Sequence, residues 1–180
     1  MEGRESHMRN VGELARSEAY FFGRVYLVNM IWYELDEYER ILDGIVPACV
    51  DVLITDNENR ILLGKRRFKP NPDWWLIGGR MRVGENIFDT TNRNLAKELS
   101  KFKYEYMGEI GHYVLQWPDR AEPSNKPVTH LLIATKVKAI TTEIEDVTGS
   151  HSELRWFTAD ELESINITKE LSDVIRDGLK

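Results

Sequence analysis

Two successive glycines, Gly78 and Gly79, join a short apolar run, Trp74-Trp75-Leu76-Ile77, to a stretch in which Ile87, Thr91, Leu95, Leu99 and Phe102 recur every three to four residues. The first run predicts a strand, and the second predicts a helix from Asn86 to Phe102 with one apolar stripe. A strand that leads through glycines into an amphipathic helix is the unit of a layered α/β fold. The absent side chains let another part of the chain come close to the backbone.

The flanking segments fit such layers. Ala48 to Thr55 is a compact apolar run that reads as a buried strand, and Asp51 inside it needs a partner, because a buried carboxylate is costly alone. Asp56-Asn57-Glu58-Asn59 predicts a turn, Arg60 to Gly64 the other arm of a hairpin, and Lys65 to Lys69 a basic loop that ends in the turn Pro70-Asn71-Pro72. Tyr113 to Trp117, Thr129 to Val137 and Glu153 to Phe157 read as strands, with a Pro-bearing loop over 118–127. Thr158 followed by Glu161 is the capping-box pattern and opens a last helix. Upstream, Leu27, Ile31 and Leu35 with Tyr38, Ile41 and Leu42 fall at helical spacings and predict one or two helices, closed by Asp43-Gly44. Residues 1–45 then form an N-terminal helical extension and 46–180 the main domain. Trp74, Trp75, Trp117 and Trp156 are expected in the core.

Composition narrows the function classes. A chain of 180 residues that is 42% hydrophobic can bury one core. The formal charge of −6 argues against sequence-independent nucleic-acid binding, so an anionic ligand needs a local basic cluster. The lone cysteine, Cys49, cannot form an intramolecular disulfide, which fits a reducing cytoplasm. The apolar stretch Val25 to Tyr33 is far short of the ~20 residues of a membrane span, so no membrane partner is expected. The polar residues 1–10 read as a frayed end. The aromatic residues of the extension suit a subunit contact, and a homodimer is expected.

The chemistry concentrates between Gly78 and Glu98. Asn94 and Glu98 sit one turn apart on the predicted helix, which can aim a carboxylate back at the glycine loop. A carboxylate beside exposed carbonyls suits Mg²⁺, with Mn²⁺ as its substitute. Arg80, Arg82, Arg93 and the cluster at 65–69 supply phosphate-binding charge. Glu85 and Arg93 have a second reading as an internal ion pair that fixes the loop on the helix. His112 and His130 read as structural.

These residues resemble the box of the Nudix hydrolases, G-x5-E-x7-R-E-U-x-E-E-x-G-U with U aliphatic. Gly79, Glu85, Arg93, Leu95 and Glu98 match it, whereas Asn94 and Lys97 replace two acidic ligands and Ser100-Lys101 the final Gly-U. Leu62-Leu63-Gly64-Lys65-Arg66 and Gly78-Gly79-Arg80 strengthen the resemblance. Retention of only the last helix Glu is similar to the GDP-mannose mannosyl hydrolase branch, as are Asp51, Thr129-His130 and His151 followed by Arg155-Trp156.

The resemblance implies a Nudix-like α/β/α sandwich with a mixed β-sheet between helices. It implies Mg²⁺-dependent hydrolysis of a nucleoside diphosphate sugar, by attack of water at the anomeric carbon. Glu98 and the Gly78 carbonyl would be metal ligands, Arg80 and Arg93 partners of the diphosphate, Arg66 and Asp51 contacts to the nucleotide sugar, and His151 the general base. Ser150 stands where that branch has a Gln metal ligand, Gln116 where it has a His near the sugar, and Leu131 where it has a Tyr. Two other functions fit the departures. One is a pyrophosphatase that attacks phosphorus, with Glu143, Glu145 or Glu153 replacing the missing ligands. The other is an inactive module that binds a nucleotide sugar.

Overall fold

Residues 25–28 and 31–34 are extended where the spacing predicts helix. β1 (Val25–Val28) and β2 (Ile31–Glu34) pair antiparallel with Val28 opposite Ile31, and α1 (Leu35–Gly44) begins only after them. These strands are rich in β-branched and aromatic residues, which favour extended backbone over the helical spacing they also satisfy. In α1, Tyr38 and Leu42 are buried one turn apart, and Asp43-Gly44 closes the helix. This computed structural model describes residues 25–28, 31–68, 73–99, 101–118 and 126–180. It divides into two compact units, Met1–Tyr38 and Glu39–Lys180. The polar stretch 1–10, the turn at 70–72, the loop residues 119–125 and Ser100 lie outside the described residues.

The second unit is built on β3 (Ala48–Thr55), β4 (Ile61–Arg66), β5 (Trp74–Trp75), β6 (Ile77–Arg80), β7 (Tyr104–Trp117), β8 (Val128–Ala139) and β9 (His151–Phe157). β3 runs parallel to β8, and every other pairing is antiparallel, so the sheet is mixed. β3 and β4 pair only at one end, through Ile54 with Leu62 and Thr55 with Ile61. The run from Trp74 to Arg80 fills the gap beyond, which is why it is two strands with a break at Leu76: β5 pairs with β4, and β6 pairs with β3. Lys65 and Arg66, expected in a loop, continue β4 and pair with β9.

Helices cover both faces. α2 (Ile87–Glu98) packs Leu95 on one face, with Leu99 just beyond its end, against Val52, Ile54, Leu62 and Ile77. α3 (Ala159–Ser164) and α4 (Lys169–Gly178) bring Leu162, Leu171, Val174 and Ile175 onto the other, against Leu53, Ile61, Leu63 and Phe157. Alternation along β3 and β4 sends neighbouring side chains to opposite faces, so β3 is apolar almost throughout. Each fully buried Leu, Ile or Phe contributes about 1.5–3 kcal/mol. The expected Thr158–Glu161 capping box opens α3, but Thr168 caps a separate α4 where one last helix is predicted. Trp74 and Trp75 pack in the α3–α4 core, and Trp117 and Trp156 lie partly buried at the margins of the two cores. No helix among the described residues is long and apolar enough to cross a membrane.

The helix expected to reach Phe102 stops at Glu98. Leu99 turns extended while its N–H still bonds Leu95, and Lys101 takes a left-handed φ of 53°. Leu99 then bridges to Asp146, and Phe102 stacks on Tyr104 instead of lying in the stripe.

The two glycines of β6 answer to different neighbours. A Cβ on Gly78 would fall 2.1 Å from Asp51 Oδ1 and 2.6 Å from both the Asp51 Cα and the Val50 carbonyl. Backbone cannot yield there as a flexible side chain can. Gly78→Ala is expected to lower stability by about 1–3 kcal/mol, and urea unfolding of the two proteins checks it.

Candidate active site

The loop before α2 is held by one cation. Arg93 donates from Nε to Glu85 Oε1 at 2.6 Å, and from its terminal nitrogens to Glu85 Oε2 at 2.8 Å, the Arg80 carbonyl at 2.7 Å and Asn94 Oδ1 at 2.8 Å. Glu85 also accepts from the Thr90 hydroxyl and the Arg82 N–H. The Arg93 fork, against the opposing effect of burial, lowers the Glu85 carboxyl to about 2, with help from Thr90 and Arg82. The ion-pair reading of these two residues is therefore realised in the fold, and the guanidinium is occupied by protein acceptors. Asn86 and Asp89 cap the helix reciprocally.

Asn94, buried under the helix, donates from Nδ2 to the Val50 carbonyl at 3.0 Å and to the Gly79 carbonyl at 3.2 Å. A carboxylate at this position would face the same oxygens with nothing to donate. Asparagine thus ties α2 to β3 and β6 in place of an acidic ligand.

One turn on, Glu98 is 5% exposed. Lys97 Nζ donates to its Oε1 at 2.8 Å, and Thr148 Oγ1 donates to its Oε2 at 2.6 Å. Because Leu99 pairs with Asp146, the turn 146–149 lies against the end of α2, and it brings His151 with it. Asp146 accepts from the N–H groups of Thr148, Gly149 and His151, the last at 2.7 Å. Burial opposes ionisation of Asp146, but the bonds from His151 and Thr148 outweigh it and hold the carboxyl below its ordinary value. An ionised carboxylate can only accept, so the 3.1 Å contact of His151 Nδ1 with Asp146 Oδ2 is an Nδ1–H donation. In the neutral imidazole, Nε2 then keeps its lone pair. That ring lies over Gly64, where a Cβ would fall 2.4 Å from its Cδ2 and 2.9 Å from Nε2. Ligand atoms of Glu98, Asp146 and His151 all lie within 4.8 Å of one another. Two carboxylates and an imidazole at this spacing are a donor set that suits a divalent cation.

A second group lies on the opposite face of the sheet. Asp51 is buried toward α4 and accepts from Trp75 Nε1 at 2.8 Å, the partner that its position in an apolar strand demands. Burial raises its carboxyl, while the indole bond and nearby Arg66 act against the rise. Arg80 shares this face, opposite Cys49 in the β3–β6 register. Arg66 is paired with His151 across a register shift at Lys65/Arg66, yet its charge is felt by Asp51, Cys49 and His130. Such a bulge re-aims a side chain to the other face, and Arg66 thereby links the two groups.

Of the residues marked in the sequence, Glu98, His151 and Ser150 come together; the Ser150 hydroxyl lies 2.6 Å from that of Thr148. Asp51, Arg66 and Arg80 form the second group. Gly78 lies on β6 opposite Asp51, and Gln116 is exposed on β7 opposite Thr129. The acid delivered to Glu98 is Asp146, while Glu143, Glu145 and Glu153 are exposed. Asp146 was legible only as the first residue of a D-x-x-G turn just before His151.

A family model described as NUDIX domain matches residues 46–177. A NUDIX hydrolase from Nitrosomonas europaea shares the fold with a TM-score of 0.57 and 16% identity, over 74% of this chain and 88% of that one. A MutT protein from Methanosarcina mazei Go1 gives 0.57 and 15%, over 75% and 94%. The NUDIX domain of Shewanella oneidensis NrtR, complexed with ADP ribose, gives 0.57 and 14%, over 81% and 97%. None of the curated proteins matches the chain.

Glu85 yields a pH test. Its folded value of about 2 lies below the ordinary glutamate value of 4.5, so its contribution is present above 4.5 and is lost as pH falls toward 2. Glu85→Gln is expected to flatten the decline of stability in that window relative to the wild type, measured by thermal melts across pH.

Proposed function

We propose that this chain, which belongs to the NUDIX domain family, is a metal-dependent hydrolase that splits a nucleoside diphosphate from a sugar by attack of water at the anomeric carbon. The observation that carries the reading is the His151–Asp146 pair beside Glu98. Asp146 holds the imidazole in the tautomer whose Nε2 accepts a proton. A histidine so oriented, one residue cluster away from a cation-binding carboxylate, is equipped to deprotonate water. ADP ribose, held by the NrtR domain, supports a nucleoside diphosphate ligand, although its terminal ribose is joined through C5 and not through the anomeric carbon.

Glu98 and Asp146 would hold Mg²⁺ or Mn²⁺, with the Ser150 and Gly78 oxygens as further ligands, and the cation would stabilise charge on the leaving diphosphate. The residues of the chain do the rest. His151 Nε2 takes a proton from water as its oxygen bonds to the anomeric carbon. The bond from that carbon to the phosphate oxygen breaks, and the nucleoside diphosphate departs with the electron pair. Arg80 stabilises the diphosphate, while Asp51 and Arg66 contact the nucleotide sugar and Gln116 the sugar end. Arg93 acts on the diphosphate through the loop that it anchors. Attack opposite the leaving group inverts the sugar. A cytoplasmic homodimer joined through residues 1–45 completes the reading, and light scattering tests the dimer.

The Lys97–Glu98 ion pair favours a second reading, in which the ammonium occupies the carboxylate and the protein binds a nucleotide sugar without turnover. Product analysis separates the readings. With GDP-, UDP- and ADP-sugars in water enriched in oxygen-18, phosphorus NMR should show unlabelled nucleoside diphosphate. Label in a monophosphate would mean attack at phosphorus, and binding without turnover would mean a binding module. His151→Ala should lower kcat by about 10²- to 10⁴-fold with substrate binding kept. Gly64→Ala, which crowds the His151 ring, should also lower kcat, with the fold intact by circular dichroism.

A further inference from the structure

His130 lies on β8 opposite Leu115, on the same sheet face as Asp51 and Arg80. Its Nε2 is shut off from solvent and has no hydrogen-bond partner, alone in this respect among the buried side-chain nitrogens and oxygens of the described residues. Leaving such an atom unpaired is destabilising, because the hydration it loses is not replaced. An apolar side chain of similar size would avoid that cost, and Leu132 and Ala134 follow His130 on this face. A buried polar atom left unpaired is explained by a partner that arrives from outside.

Its surroundings define the partner. Burial and then the charges of Arg80 and Arg66 lower the imidazole to about 4, so it is neutral near pH 7 and adds no third positive charge. The charges of both guanidiniums, one carried by β6 and one by the bulged end of β4, are felt at this imidazole. Two planar cations and a neutral N–H donor are complementary to the oxygens of a phosphate, which accept hydrogen bonds and carry the negative charge.

We propose that His130 is a binding residue whose Nε2–H donates to a phosphate oxygen of the nucleoside diphosphate, alongside Arg66 and Arg80. The inference rests on the reading of the protein as a nucleoside diphosphate sugar hydrolase. It corrects the expectation that His130 is merely structural, and it extends the ligand contacts onto β8.

The test is calorimetric titration of the full chain with GDP, UDP and ADP in the presence of Mg²⁺, for the wild type, His130→Leu and His130→Gln. The leucine variant should bind the preferred diphosphate about tenfold more weakly, as expected for loss of one hydrogen bond to a charged group. Its Tm should be equal to or above that of the wild type, because the unpaired atom is gone. Glutamine restores an N–H donor and should recover part of the affinity. In the wild type, the His130 Nε2 resonance should shift on addition of GDP or whichever diphosphate binds. Wild-type affinity in His130→Leu, or an unmoved Nε2 resonance in a protein that binds, overturns the inference and leaves the proposed function standing. A wild type that binds none of the three diphosphates overturns both.

Discussion

Helix α2 can lie against the sheet because Gly79 presents no side chain to it. A Cβ there would fall 3.2 Å from Asn94 Oδ1, inside the space that the amide needs to reach the carbonyls of Val50 and Gly79. That contact, with the Arg93 fork on Glu85 and the Arg80 carbonyl, sets the depth and rotation of the helix. Everything downstream inherits the placement. Glu98 is buried because it lies one turn after Asn94 on the same side, and Leu99 leaves the helix within pairing reach of Asp146.

Asp146 then organises the turn between Glu98 and His151. It accepts from three backbone N–H groups and from His151 Nδ1, so the protein itself holds the carboxylate in place. A carboxylate so satisfied is a rigid orienting group, not a mobile one. The imidazole is fixed from the other side by the room that Gly64 leaves above β4. The L-L-G-K-R run therefore has a physical meaning: its glycine makes room for the histidine, and its arginine, turned by the bulge, reaches the group around Asp51 on the opposite face.

The layered fold could be read from period and punctuation alone. β3 coincides with the apolar run Ala48–Thr55, α2 begins beside its predicted start at Asn86, and the capping box at Thr158 opens α3. The failures have local causes. Residues 25–28 and 31–34 carry apolar residues at helical spacing, but their β-branched and aromatic content decides for strand. Leu99 remains in the apolar stripe after the helix has ended, because its side chain stays in the core while its backbone turns away to pair. The strand over 74–80 is divided because β3 and β4, the two strands it pairs with, diverge.

The site was legible in the same uneven way. Glu98, His151, Asp51, Arg66 and Arg80 announce themselves by residue type and by position around the glycine strand and the helix, information that is local in the chain. The sequence by itself therefore determined the layers, the helix that carries Glu98 and the family to which the chain belongs. Only the tertiary structure decided that Asp146 stands between Glu98 and His151, that Arg93 is spent on the loop, and that His130 keeps an unpaired nitrogen beside two arginines. Those outcomes depend on which strands meet and on which face a bulge turns a side chain toward. Packing over long sequence separations sets them, and no window of neighbouring residues encodes it.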